Sequence, residues 1–318
     1  MRTVMSVLGL LAAVFVMNAP GIEQRPEGRF QQTLSVSGPV QLRIATGAGS
    51  IKVRKGDSNS VRIQAEIRAD SHGDAALVRE IEQNPPIRQS GNTVTIGTEV
   101  RRWEHVSISY EVTVPAETQV EARSGAGSVG VYDVAGPLDA ASGAGSVNAE
   151  NIGARVMVKS GAGSIGVSRA GGDVNAATGS GALELNDVKG SADAETGSGS
   201  ISVSGATGRV RAHTGSGRIR VAKANADVDA KTGSGGIEVD GRPKSARWEL
   251  RTSSGSVTVS LPSGTGFELD AHAGSGRIST AHQLTRTEVS GKHELRGLVG
   301  QPDNHIFIRT TSGSVRID

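Results

Sequence analysis

A Gly-x-Gly phrase returns every 18 residues through the middle of this chain. Its second glycines stand at Gly127, Gly145, Gly163, Gly181, Gly199, Gly217 and Gly235. Further copies follow at wider intervals, at Gly255, Gly276 and Gly313, and an early one stands at Gly49. A fixed period of this length means that one unit cannot bury its apolar face alone and must stack on its neighbours.

Aligned copies give columns. Two positions after the second glycine stand Val129, Val147, Ile165, Leu183, Ile201, Ile219 and Ile237, and two further on stand Val131, Ala149, Val167, Leu185, Val203, Val221 and Val239. Between them lie small or polar residues: Gly130, Asn148, Gly166, Glu184, Ser202, Arg220 and Glu238. That alternation has period two, the mark of a strand with one buried face. The second half of each unit repeats it with Leu138/Ala140, Val156/Val158, Val174/Ala176, Ala192/Ala194, Val210/Ala212 and Val228/Ala230. Each unit therefore reads strand, turn, strand, turn, with no room for a helix.

Stacking such units in parallel sets like residues above like, about 4.8 Å apart. The expected fold is all-β, a single-stranded parallel β-helix or β-solenoid with 18-residue rungs, some ten turns long and roughly 45–50 Å in length. Aromatics make up only 3% of the chain, which suits a thin lumen filled by Val, Ile, Leu and Ala. The glycines serve the corners, where the backbone crowds or φ turns positive. Before them runs a hydroxyl column, Ser124, Ser142, Ser160, Thr178, Thr196, Thr214, Thr232 and Thr252, expected to satisfy corner backbone groups. Spacing grows to 20 and 21 residues where Trp248, Leu250, Phe267 and Leu269 replace Val and Ala, which predicts a broader cross-section there.

Residues 1–21 read as a signal peptide: Arg2, an apolar run from Val4 to Met17, then Asn18-Ala19-Pro20-Gly21. A run of 14 is short for a membrane span and right for a signal-peptide core. Export to the periplasm, cell surface or medium is expected, with an uncleaved N-terminal membrane anchor as the rival. The chain has no cysteine, so neither a lipobox anchor nor a disulfide framework is available. Residues 30–122 form a less regular lead-in with strands over 33–36, 40–44, 51–53, 61–67, 93–96 and 106–114. A helix over 74–83, with Leu77 and Ile81 on one face, is stopped by Asn84-Pro85-Pro86 and is expected to cap the open stack. The repeats proper span 123–318, interrupted by an irregular stretch over 281–309.

The early Thr46-Gly47-Ala48-Gly49-Ser50-Ile51, the strand Tyr110-x-Val112-x-Val114-Pro115 and the repeat through Thr311-Ser312-Gly313-Ser314-Val315 carry a resemblance. The chain resembles the bacterial exported "putative adhesin" domain-of-unknown-function family. That resemblance implies a Gly-Ser-Gly β-solenoid behind a signal peptide and adhesin-like binding; it specifies fold well and function poorly.

Gly125–Gly130 and Gly161–Gly166 spell a dinucleotide-binding glycine pattern, but that chemistry needs a following helix N-terminus, and here a short strand follows. No nucleotide is expected. Calcium-binding nonapeptide rolls place Asp two residues after the glycine. Here the column Val129 to Ile237 replaces oxygen ligands with carbon, so no calcium is expected in the repeats. No metal-ligating His pair, no Gly-x-Ser-x-Gly elbow and no cofactor motif appears. With 34 Lys plus Arg against 32 Asp plus Glu and few aromatics, nucleic acid is not an expected partner.

Two outward rows carry charge: Asp139, Met157, Asn175, Asp193, Arg211, Asp229, and two residues earlier Pro137, Arg155, Asp173, Ser191, Arg209, Asp227. Stacked acids on a β-helix can build a polysaccharide lyase site, but alternation of sign also makes a plain solvated ladder. His213 and His272 are expected at equivalent outward positions three turns apart, too far to share a metal. The leading expectation is a non-enzymatic exported envelope or surface module that binds or scaffolds an envelope glycan or protein. Its candidate face carries Asp193, Arg211 and Asp229, or Glu184, Arg220 and Glu238. The alternatives are a polysaccharide-active lyase or glycosidase, and a self-assembling structural element.

Overall fold

The computed structural model describes residues 26–70, 75–97 and 105–318, so the leader at 1–21 lies outside the described residues. Each central unit forms two strands. Those after the glycine corner, such as Val129–Tyr132, Val147–Ile152, Ile165–Ala170 and Leu183–Val188, join one sheet of fourteen strands, here sheet A. Those of the second half, such as Leu138–Ser142, Val156–Ser160 and Val174–Thr178, join sheet B, of fifteen. Register is in step: Val129 pairs with Val147, Val147 with Ile165, and Ile165 with Leu183. The chain is thus a β-solenoid, in which the inward columns of both sheets merge into a single apolar core. Ala140, Ala194, Ala212 and Ala230 are fully buried in it, as are Trp248 and Phe267 in the wider rungs. The Trp248 indole N–H donates to the Ala226 carbonyl at 2.9 Å, which meets the polar demand of burying that ring.

The hydroxyl column is buried and bonded in every rung. Ser124 donates to the Gly49 carbonyl at 2.8 Å, Ser142 to Gly127 at 2.8 Å, Thr196 to Gly181 at 3.0 Å and Thr252 to Gly235 at 2.9 Å. In the earlier rungs the same oxygen also accepts an N–H of its own corner, from Gly127 at 2.9 Å and Gly145 at 2.8 Å. In some later rungs the strand runs further into the corner, as in Ala192–Ser198 and Val210–Ser216. There the amide of Gly217 bonds the next rung's Ser234 carbonyl at 2.8 Å instead.

Both ends depart from chain order. At the start, the rung of Gln41–Thr46 and Ile51–Lys55 lies directly against that of Gln119–Ser124 and Val129–Tyr132. Strands Thr93–Ile96 and Val106–Val114, later in the chain than Gly49, sit outside it. At the finish, His305–Ser312 and Val315–Ile317 insert between the strands of residues 247–260 and those of 267–280. The 21-residue interval from Gly255 to Gly276 is therefore not a step between neighbouring rungs: Gly313 lies between, and Thr310 donates to the Gly255 carbonyl at 3.0 Å. His213 and His272 are accordingly four strands apart in sheet B, not three. The cause is that the 18-residue period alone does not state which rung a detached copy joins.

Antiparallel strands close both ends. Glu27–Ser35 and Ser60–Ala69 finish sheet A at the N-terminal side. Ile87–Ser90, which carries no alternation in sequence, finishes sheet B there. Glu294–Val299 and Arg286–Ser290 finish sheet B at the other side. The helix Ala75–Gln83 packs on Glu27–Ser35 and Ser60–Ala69 at the N-terminal side, burying Val78 and Ile81 with Leu77 only partly covered, and the Glu82 carboxylate accepts the free-edge N–H of Arg29 at 2.7 Å. Helix and side chain together blunt an edge that would otherwise template further strands.

Candidate binding faces

The six candidate side chains divide over the outer faces of different sheets and do not form one site. On sheet B, Asp193, Arg211 and Asp229 occupy three successive rungs of one row. Arg211 stands 3.6 Å from Asp193 and 3.9 Å from Asp229, and His213 lies 3.3 Å from Asp229. The two arginine contacts are loose, half-exposed ion pairs, each contributing at most about 1 kcal/mol. On sheet A, Arg220 pairs with Glu238 at 3.1 Å, while Glu184 is one rung beyond Ser202 and accepts instead from the Asn186 amide at 2.9 Å.

The sheet B rows enclose an open groove of about 320 Å³ lined by Arg155, Asp173, Asn175, Asp193, Arg209 and Arg211. Its floor is the backbone of Val156, Val174 and Ala192, whose side chains point into the core. Asp173 is held by the Ser191 amide at 2.8 Å, and Arg209 faces Asp227 at 3.5 Å. Acids and guanidinium groups thus alternate along the groove. Among the described residues no group of three or more His, Asp and Glu is placed to hold a metal ion.

Two tighter pairs mark the ends of the same face. Arg123 grips Asp139 through both guanidinium nitrogens at 2.7 and 2.9 Å, and that hydrogen bonding holds the Asp139 carboxyl below its usual range. Arg309 grips Asp270 in the same way at 2.9 and 2.8 Å, with Arg296 at 3.3 Å. The Asp270 carboxyl is likewise depressed, first by the Arg309 bond. Fork-to-carboxylate geometry makes these the strong pairs of the surface.

Sheet A carries a second depression, of about 290 Å³, around Tyr132, Asn148, Gly166, Glu184 and Asn186. Of these, Asn148 and Glu184 belong to the polar outward column of the sequence, while Tyr132 and Asn186 do not. The available signal was glycine at two positions, 130 and 166, of an otherwise polar outward column.

Solved structures resemble the chain at low identity. A Bacteroides fragilis protein titled a putative adhesin is 11% identical over 91% of this chain and 97% of its own, with a TM-score of 0.33. A Parabacteroides distasonis protein with the same title is 10% identical over 91% and 97%, also at 0.33. A Clostridium sporogenes protein titled a putative cell adhesion protein is 11% identical over 91% and 98%, at 0.19. No curated protein matches the chain. The profile of the Toastrack DUF4097 family matches residues 41–318, from the first hydroxyl rung to the last inserted one. The chain belongs to the Toastrack DUF4097 family.

Proposed function

We propose that this protein is an exported, non-enzymatic module of the cell envelope or surface that binds or scaffolds an extended partner. The observation behind this reading is the register: outward polar side chains recur at the rung spacing on both faces, in open depressions rather than an enclosed pocket. Many weak contacts at a constant repeat suit a glycan chain or another protein's strand. The apolar run of residues 4–17 supports export. Acid–base catalysis asks for a pair of groups whose environments push their proton affinities apart; Asp193 and Asp229 instead share one guanidinium.

Chain lacking residues 1–21 is expected to co-sediment with isolated envelope material and to release no fragments from uronate or neutral polysaccharides. The groove holding Asp173 and Asp193 favours a polysaccharide-cleaving enzyme as the second reading. Turnover abolished by Asp193→Asn or Asp229→Asn would establish that reading instead. Full-length chain with intact Met1 in a soluble cytoplasmic fraction would refute export.

A further inference from the structure

Gly166 is the second residue of strand Ile165–Ala170, with its missing side chain on the outer face of sheet A. Nothing in the backbone requires glycine there. A Cβ would meet only the Asn148 side-chain oxygen, at 3.1 Å. The other glycines inside described strands are accounted for. A Cβ on Gly197, Gly215, Gly233, Gly241 or Gly297 would strike a carbonyl oxygen at 2.0–2.6 Å. Gly28 makes room for Val78 and Glu82 of the helix, and Gly130 for the ring of Tyr132. Glycine weakens a strand, and one with no internal use marks a place where something else approaches the backbone closely.

The surroundings say what approaches. Tyr132 lies over Gly130 on one flank, with the Arg54 guanidinium 5.2 Å from its ring centroid. Asn148, Ser168, Glu184 and Asn186 supply amide, hydroxyl and carboxylate groups around Gly166, and no lysine or arginine lines the depression. The guanidinium of Arg54 rests on the Tyr132 ring and does not line the depression, and that of Arg169 is bonded to Glu150. An aromatic ring beside amides, a hydroxyl and two carboxylates, with no cation on the lining, recognises an uncharged polyol ring: the ring's C–H face packs on the aromatic and its hydroxyls bond the polar groups. A polyanion would instead meet the carboxylates of Glu150 and Glu184 on the lining. We propose that this depression is a subsite for an uncharged sugar residue of an extended glycan, with Gly166 as its floor and Tyr132 as its wall. The assignment rests on the binding function proposed above and narrows its ligand to a neutral glycan on sheet A.

Affinity electrophoresis of the chain lacking residues 1–21 through gels containing soluble neutral glucan, mannan or chitin oligosaccharide tests it, with polygalacturonate as the anionic comparison. Retardation by at least one neutral polymer is expected. Gly166→Gln, which plants a side chain on the floor without touching the core, should reduce association about tenfold, the worth of one good stacking contact. Tyr132→Ala should act alike, Glu184→Gln more weakly, and Lys244→Gln, exposed at a corner of a later rung, not at all. Circular dichroism melting of each variant separates a lost subsite from a lost fold. Retardation by polygalacturonate alone, or by neutral polymers undiminished in folded Gly166→Gln, overturns the subsite. Envelope co-sedimentation that survives Gly166→Gln would leave the broader binding function standing while removing this ligand.

Discussion

At the first corner of the rung, a Cβ on Gly145 would sit 2.3 Å from the Gly127 carbonyl oxygen. At the second corner, Asp133, Asn151, Arg169, Asp187 and Lys223 carry full side chains into solvent at φ between 54° and 59°. Both corners reverse the chain, once per 18 residues. The first does so by pressing backbone on backbone, so the residue type is dictated by the neighbouring rung. The second opens with local twist, each of these residues entering the left-handed region, where only Gly205 of the column does so without steric cost; backbone presses on backbone only further along it, as at Gly136 and Gly171. A position sealed from outside tolerates one residue type; a position set by its own dihedrals tolerates several and merely loses some stability.

Substitutions can break that contrast. Gly145→Ala is expected to have the largest effect, about 3 kcal/mol or more, because a carbonyl of the next rung must shift; an unfolding midpoint close to wild type would show that the corner yields. Ala212→Leu should follow, at roughly 1–3 kcal/mol, since it overpacks a fully buried column. An outward control, Arg211→Gln, should leave the denaturant midpoint unchanged, and equal small effects from both would misplace the inward face. Thr196→Val keeps the shape but strands the Gly181 carbonyl that the hydroxyl now bonds, which should cost about 1–2 kcal/mol in the same titration.

At the second corner the sign reverses. Lys223→Gly is expected to stabilise by about 0.5–1 kcal/mol, because glycine enters the left-handed region without strain. A loss of stability there would mean that both corners demand particular side chains.

The smallest expected effect is on pH dependence. The Asp139 carboxyl, depressed by Arg123, binds its proton less readily folded than unfolded. Its contribution is therefore complete above the unfolded value of about 4 and disappears as pH falls through the folded one. The pair is nearly half exposed, so screening limits the gain to under about 1 kcal/mol. Asp139→Asn should flatten the acid limb of a stability-versus-pH curve slightly; an unchanged limb would show that the pair contributes nothing.

The sequence reads most clearly where a residue is constrained by its neighbours in space. Glycine and hydroxyl columns, inward aliphatics and the charged rows of sheet B all stand out by alignment of the copies, and the register places them as alignment implies. What alignment cannot express is which rung a detached copy joins, because Gly49, Gly276 and Gly313 carry the same phrase as their neighbours. The strand Ile87–Ser90 is invisible for another reason: it is short and covered by little. Of the candidate faces, Asp193–Arg211–Asp229 was legible as a row. Tyr132 and Asn186 were not, since each occurs once in its column and a period reveals only what repeats.

Inserting the final rung between two earlier ones gives the chain a keystone. Strands Phe267–Ala273 and Ile278–Thr280 have no parallel neighbour until His305–Ile317 has been made. Synthesis from the N-terminus can therefore zip the central stack progressively, but the far end closes in one late step that bridges long stretches of chain, the kind of contact that slows folding. Deleting the last fourteen residues would not merely shorten the stack; it would strand the cap beside a gap one rung wide. By the same token residues 305–317 are held between two rungs instead of lying at an outer edge, so pulling them away has to force open the stack first.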